Sequence, residues 1–109
     1  MNFCNYTPHE INIVLPTNKL SFASMGVARV TESQRVLGME SGIELRETVY
    51  GEIEGLPESK DDCLIIVSLL VKQVNAKSKN PRKDLVIPDT GASCIRENGQ
   101  IKAVTGFVV

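Results

Sequence analysis

Cys63-Leu64-Ile65-Ile66-Val67-Ser68-Leu69-Leu70-Val71-Lys72-Gln73-Val74-Asn75-Ala76 is the most apolar run in the chain, and its reading decides the fold. Residues 63–67 are continuously apolar, with β-branched Ile65, Ile66 and Val67. That is the pattern of a strand buried on both faces. At Ser68 the pattern changes. Leu70, Val71 and Val74 recur at helical spacings, with Lys72, Gln73 and Asn75 between them. Ser68 is a suitable N-cap, because its hydroxyl accepts from an amide one turn on. Asn75, Lys77, Asn80 and Pro81 supply the stop. The spacing therefore predicts a strand feeding a helix over about 68–77. One continuous buried helix stays open as an alternative, because periodicity alone does not separate the two.

Beyond the helix, Lys77 to Lys83 forms a basic loop, Asp84–Pro88 reads as a strand and Asp89–Ala92 as a turn. Ile95–Glu97 and Gln100–Val104 flank Asn98-Gly99, a strong hairpin signal because both turn residues tolerate positive φ. Upstream, Gly55 to Asp62 is a loop. Ile43–Glu54 has a period of two, with Ile43, Leu45, Val49 and Ile53 on one face and a possible bulge at Gly51. Glu47 falls with the apolar set, so either the chain twists and Glu47 reaches solvent or its carboxylate enters a pocket. Thr31 to Gly42 is polar and reads as a loop, Val27–Val30 as a short strand, 16–26 as a mixed loop, and Ile11–Leu15 as a strand ended by Pro16. The sum is one domain over 1–109 of the α+β class. It is expected to hold a mainly antiparallel sheet of about six strands with the single helix packed on one face.

Composition excludes several functions. Lys plus Arg number 12 against 13 Asp plus Glu, too even a balance for a basic nucleic-acid surface. There is no tryptophan, and the longest apolar stretch is shorter than the roughly 20 residues a membrane helix needs. Met1 to Asn5 lacks the basic and apolar regions of a signal peptide, which predicts a cytosolic protein. Cys4, Cys63 and Cys94 are too widely spaced for a CxxC zinc site and read as free thiols. No metal and no cofactor is expected.

Asp89-Thr90-Gly91-Ala92-Ser93 resembles the signature of retroviral-type aspartic proteases, but the likeness ends after those residues. Only Ser93 to Val109 follow, where that family needs a flap and a second motif. His9 is the only histidine, which removes paired-histidine phosphoesterases and multi-histidine metal sites. A Cys–His nucleophile pair would require one of the cysteines to meet His9 in space. No phosphate-binding glycine loop is present. Arg82, within the basic loop, offers a forked pair of donors suited to phosphate.

Several short matches occur in order. They are Asn5-x-Thr7-Pro8-His9 before an Ile-rich strand, Gly55-Leu56-Pro57, Ile66 to Val71, Arg82-x-Asp84, Pro88-Asp89-Thr90-Gly91, and Arg96-x-Asn98-Gly99-Gln100-Ile101. Together they resemble a group of small bacteriophage and prophage proteins that begin Asn-Leu-Thr-Pro-His. Tyr6 stands here where leucine is usual. No activity comes with that resemblance. It implies a phage accessory protein in the host bacterial cytoplasm, and small proteins of that kind often act by binding. The expected function is therefore non-enzymatic sequestration of a small nucleotide-derived immune signal. Direct blocking of a host protein is the alternative, and a small hydrolase using Asp89 or a Cys–His pair is the third. The candidate ligand-binding residues are Thr7, His9, Arg46, Arg82, Asp89, Thr90 and Arg96. A homo-oligomer is expected, with apolar Phe107-Val108-Val109 as a candidate contact, and neither nucleic acid nor membrane as a partner.

Overall fold

A computed structural model describes residues 2–109. In chain order the elements are β1 (Asn2–Asn5), β2 (Ile11–Val14), β3 (Lys19–Phe22), β4 (Arg29–Glu40) and β5 (Ile43–Glu54). They continue with β6 (Cys63–Ile66), α1 (Leu69–Ala76), β7 (Leu85–Pro88), β8 (Ile95–Glu97), β9 (Gln100–Ala103) and β10 (Phe107–Val108). The protein is mostly β with one short helix. The run at 63–76 is a strand followed by a helix, not one helix. Ser68 is the N-cap, extended at φ −71° and ψ 161°, and its hydroxyl accepts from the Val71 amide at 3.4 Å.

The single antiparallel sheet expected from the sequence is replaced by several small sheets. The central one has four strands in the order β1-β6-β7-β10. Its β1–β6 and β6–β7 pairs are parallel, and only β10 joins β7 antiparallel. The cause is α1. It carries the chain from the end of β6 back to the start of β7, and a crossover of that kind makes the strands parallel. The three remaining sheets are two-stranded hairpins, β2–β3, β4–β5 and β8–β9. The β8–β9 turn is the expected Asn98-Gly99, with φ of 53° and 79°.

The loop expected over 31–42 is instead most of β4, a strand of 12 residues paired with β5 through a Ser41-Gly42 turn with φ of 52° and 80°. Neither strand of this hairpin is buried along most of its length, and β4 lacks the apolar–polar alternation that marks a half-buried strand. The hairpin stands out as an arm, and the molecule measures 58 × 37 × 20 Å. The ladder shifts register between Val30 and Glu32 and again between Val36 and Gly38. The first shift spans Gly51, where the sequence suggested a bulge. It turns Tyr50 onto the face of Ile53 and sends Val49 to the other, so the four-residue apolar face expected on β5 is split. Glu47 lies in solvent and pairs with Arg35 across the ladder.

The core lies where α1 covers the central sheet. Ala28, Ile65, Val67, Val71 and Leu85 form the buried cluster, with Tyr6, Leu56 and Ile53 packed against it. Gly55 is fixed by the close approach of the chain to residue 27. Its φ is +87°, and a Cβ there would lie 2.4 Å from the Val27 carbonyl oxygen. Phe3, Phe22 and Phe107 cluster with ring centroids 5.1–6.4 Å apart, so Phe107 is spent inside the chain while Val108 and Val109 remain exposed. No helix among the described residues is long and apolar enough to cross a membrane. Leu85 is fully buried. Leu85→Ala is expected to lower the unfolding free energy by about 3 kcal/mol, read as a shift in the urea midpoint at unchanged slope.

Candidate functional site

A groove of about 860 Å³ lies between β5 and α1. Tyr50 and Ile53, on the same face of β5, form one wall, Leu70, Val74 and Lys77 on and after α1 form the other, and Arg82 is also among its lining. The volume falls within the range of about 300–1,000 Å³ common for small-molecule sites. The chain has five aromatic residues. Phe3, Phe22 and Phe107 pack on one another and Tyr6 packs on the core, whereas Tyr50 is exposed on the groove wall.

Arg82 is held from two sides. Its backbone N–H donates to Asn75 Oδ1 and its carbonyl accepts from Asn75 Nδ2, both at 2.9 Å. Asn75 is itself buried on the inner face of α1. The guanidinium donates through Nε and Nη2 to Asp84 at 3.0 and 2.7 Å, and through Nη1 to the Pro57 carbonyl at 2.8 Å. Three of its five N–H bonds are thereby committed, and the others remain for a ligand. The hydrogen bonds from Arg82 hold the Asp84 carboxyl below its ordinary range, against the opposing effect of burial.

Of the seven candidate ligand-binding residues, Arg82 alone lines this groove, and Glu47 and Lys77 line it too. Thr7 and His9 lie together around Asn5, which is 1% exposed. Asn5 Nδ2 donates to the carbonyls of His9 and Phe22 at 2.7 and 2.8 Å. Its Oδ1 accepts from the Thr7 amide at 3.0 Å and lies 2.7 Å from the Thr7 hydroxyl. That hydroxyl also lies 3.0 Å from the His9 carbonyl, and its single proton serves one acceptor at a time. The Asn-x-Thr-Pro-His stretch thus folds as a satisfied polar knot, entered by His9 through its backbone. Asp89, Thr90 and Arg96 share another loop. Asp89 Oδ1 accepts from the Gly91 amide at 3.0 Å, and Arg96 Nη2 donates to the Thr90 carbonyl at 3.3 Å. Arg46 sits on the exposed arm, its guanidinium paired with Glu44 at 2.7 and 3.0 Å.

Tyr50 and Gln73 line the groove without being singled out from sequence, whereas Lys77 belongs to the basic loop whose functional reading is an anion clamp. The available signal for Tyr50 was its place in a period-two run, opposite the apolar face. Nothing in the sequence brings it next to a helix that follows the next strand.

Cys4 and Cys63 lie with Sγ atoms 3.0 Å apart across the β1–β6 pair. The bond from Cys4 and then burial push the Cys63 thiol up to about 11, away from the thiolate that nucleophilic chemistry needs. Cys94 donates to the Thr90 carbonyl at 3.5 Å. Among the described residues no cluster of His, Cys, Asp or Glu is arranged to hold a metal ion. No known protein family, curated protein or solved structure matches the chain.

Asn5→Ala strands the Thr7 amide and the two carbonyls, and is expected to cost about 3 kcal/mol in urea unfolding. Asp84→Asn is expected to cost about 2 kcal/mol at neutral pH, by loss of charge-assisted bonds to Arg82. Because the folded Asp84 carboxyl is the more acidic, its contribution is complete above the unfolded carboxylate value of about 3.9. It disappears as pH falls through the lower, folded value. Urea midpoints of wild type and D84N should therefore converge in strong acid.

Proposed function

We propose that this protein is a non-enzymatic binder that sequesters a small nucleotide-derived ligand in the groove between β5 and α1. The observation that carries the reading is the exposed Tyr50 ring on a groove whose lining also includes Lys77 and the braced Arg82. An aromatic face is suited to a base, since stacking on one contributes about 1–3 kcal/mol per base. Guanidinium and ammonium groups are suited to phosphate. Ile53, Leu56, Leu70 and Val74 supply apolar lining. The resemblance to small phage proteins adds the biological setting, namely an accessory protein that counters host defence in the bacterial cytoplasm.

Two other readings have less behind them. Direct blocking of a host protein is favoured by the exposed apolar side chains of the β4–β5 arm. A hydrolase would need a primed acid, base or nucleophile, whereas Asp89 closes a local turn and Cys63 is held as a thiol.

Incubation with a panel of cyclic dinucleotides and ADP-ribose derivatives tests the proposal. The wild type is expected to deplete at least one of them and to release it unaltered on heating. Tyr50→Ala should weaken retention about tenfold or more, and Lys77→Ala should weaken it for the phosphorylated ligands. An altered product would indicate an enzyme. No uptake across the panel would move the function to a protein partner.

A further inference from the structure

We infer that the β4–β5 arm is a self-association surface, and that two copies of this chain pair through it. Val36, Leu37, Met39, Ile43 and Leu45 surround the tip and are 49–67% exposed. The two register shifts distribute them over both faces. Ile43 and Leu45 lie on one face, Val36 and Met39 on the other, with Leu37 in the second bulge. The body of the same chain lies at one end of the arm and leaves these side chains uncovered. A lone two-stranded ribbon is marginal in water, and this one spans 12 residues per strand.

The amount of exposed surface fits a partner of the chain's own size. The chain exposes 7857 Å². A compact monomer of 11.9 kDa exposes about 6,000 Å², so roughly 1,900 Å² is in excess. A stable interface takes about 800 Å² from each partner, which the arm can supply. The radius of gyration agrees, at 16.9 Å against about 13 Å for a compact chain of this length.

Charge selects the occupant. Near the tip, Arg35 is paired with Glu47 and Arg46 with Glu44, both within the chain, which leaves Glu40 as the remaining charge. The tip is thus close to neutral and does not repel its own copy. It also lacks the free cations that an anionic membrane or a nucleic acid would demand. A two-fold pairing that sets the Ile43–Leu45 face of the ribbon against the same face of its copy gives those side chains an equally apolar counterpart. Self-association does not require the ligand, so its outcome is read separately from uptake.

Light scattering behind size exclusion, over a hundredfold range of concentration, tests the inference. The wild type is expected at twice the 11.9 kDa chain mass. Leu37→Glu combined with Leu45→Glu is expected at the single-chain mass, with an unchanged far-ultraviolet circular dichroism spectrum. A wild type that stays at the single-chain mass throughout overturns the inference. So does a folded double variant that keeps the doubled mass, or a single-chain wild type that grows only when host proteins are added. Should the double variant fail to fold, amide exchange of the wild type decides. Protection at 36–45 that rises with protein concentration supports pairing, and protection independent of concentration overturns it.

Discussion

Everything in this structure is referred to strand β6, which is bonded along both edges and covered on both faces. Tyr6 N–H donates to the Ile66 carbonyl at 2.9 Å on one side. On the other, the amides of Ile65 and Val67 donate to the carbonyls of Asp84 and Val86 at 2.8 and 2.9 Å. Ile65, Ile66 and Val67 are at most 1% exposed. At Ile65 and Ile66 the strand has no polar alternative, because those side chains are sealed from water. Its neighbours are thereby fixed. The N-terminal strand must run parallel to it, the helix must fold back over it, and β7 must follow the helix. The groove is a secondary result, since it forms where α1, held over this sheet, meets the base of the arm.

The helix was legible almost to the residue, because Ser68 changes the period and caps the first turn. The Asn98-Gly99 hairpin was legible for a similar local reason. The direction of the central sheet is also written in the chain. A continuous apolar strand followed by a helix and another strand is the pattern of a parallel unit. Strand β1 was obscured by its short length. Strand β4 was obscured by its exposure on both faces, which erases the alternation that a buried side would impose. These are failures of different kinds. The first overlooks a rule, and the second concerns a segment for which period-two reasoning carries no information.

The candidate site was legible in type more than in place. Arg82 was recognised as a forked donor, and its bracing by Asp84, Asn75 and the Pro57 carbonyl depends on contacts distant in sequence. Thr7 and Asp89 enter as candidates through the short motifs that contain them, Asn5-x-Thr7-Pro8-His9 and Pro88-Asp89-Thr90-Gly91. Both instead satisfy local backbone, Thr7 within the Asn5 knot and Asp89 at the Gly91 amide. A short polar side chain that bonds its own turn has the same composition as one that bonds a ligand. Tyr50 shows the converse. It is inconspicuous in sequence and becomes conspicuous once the other aromatic residues are seen to be packed inward.

The two irregularities in the arm have a further effect. A long flat ribbon with open edges invites endless lateral stacking, the geometry of fibrils. At Gly51 and Leu37 the extra residue interrupts the ladder and increases the coiling of the ribbon. A coiled edge offers a third copy no straight template. The kinks therefore cap growth, and favour a closed assembly that stays dispersed over an open-ended aggregate.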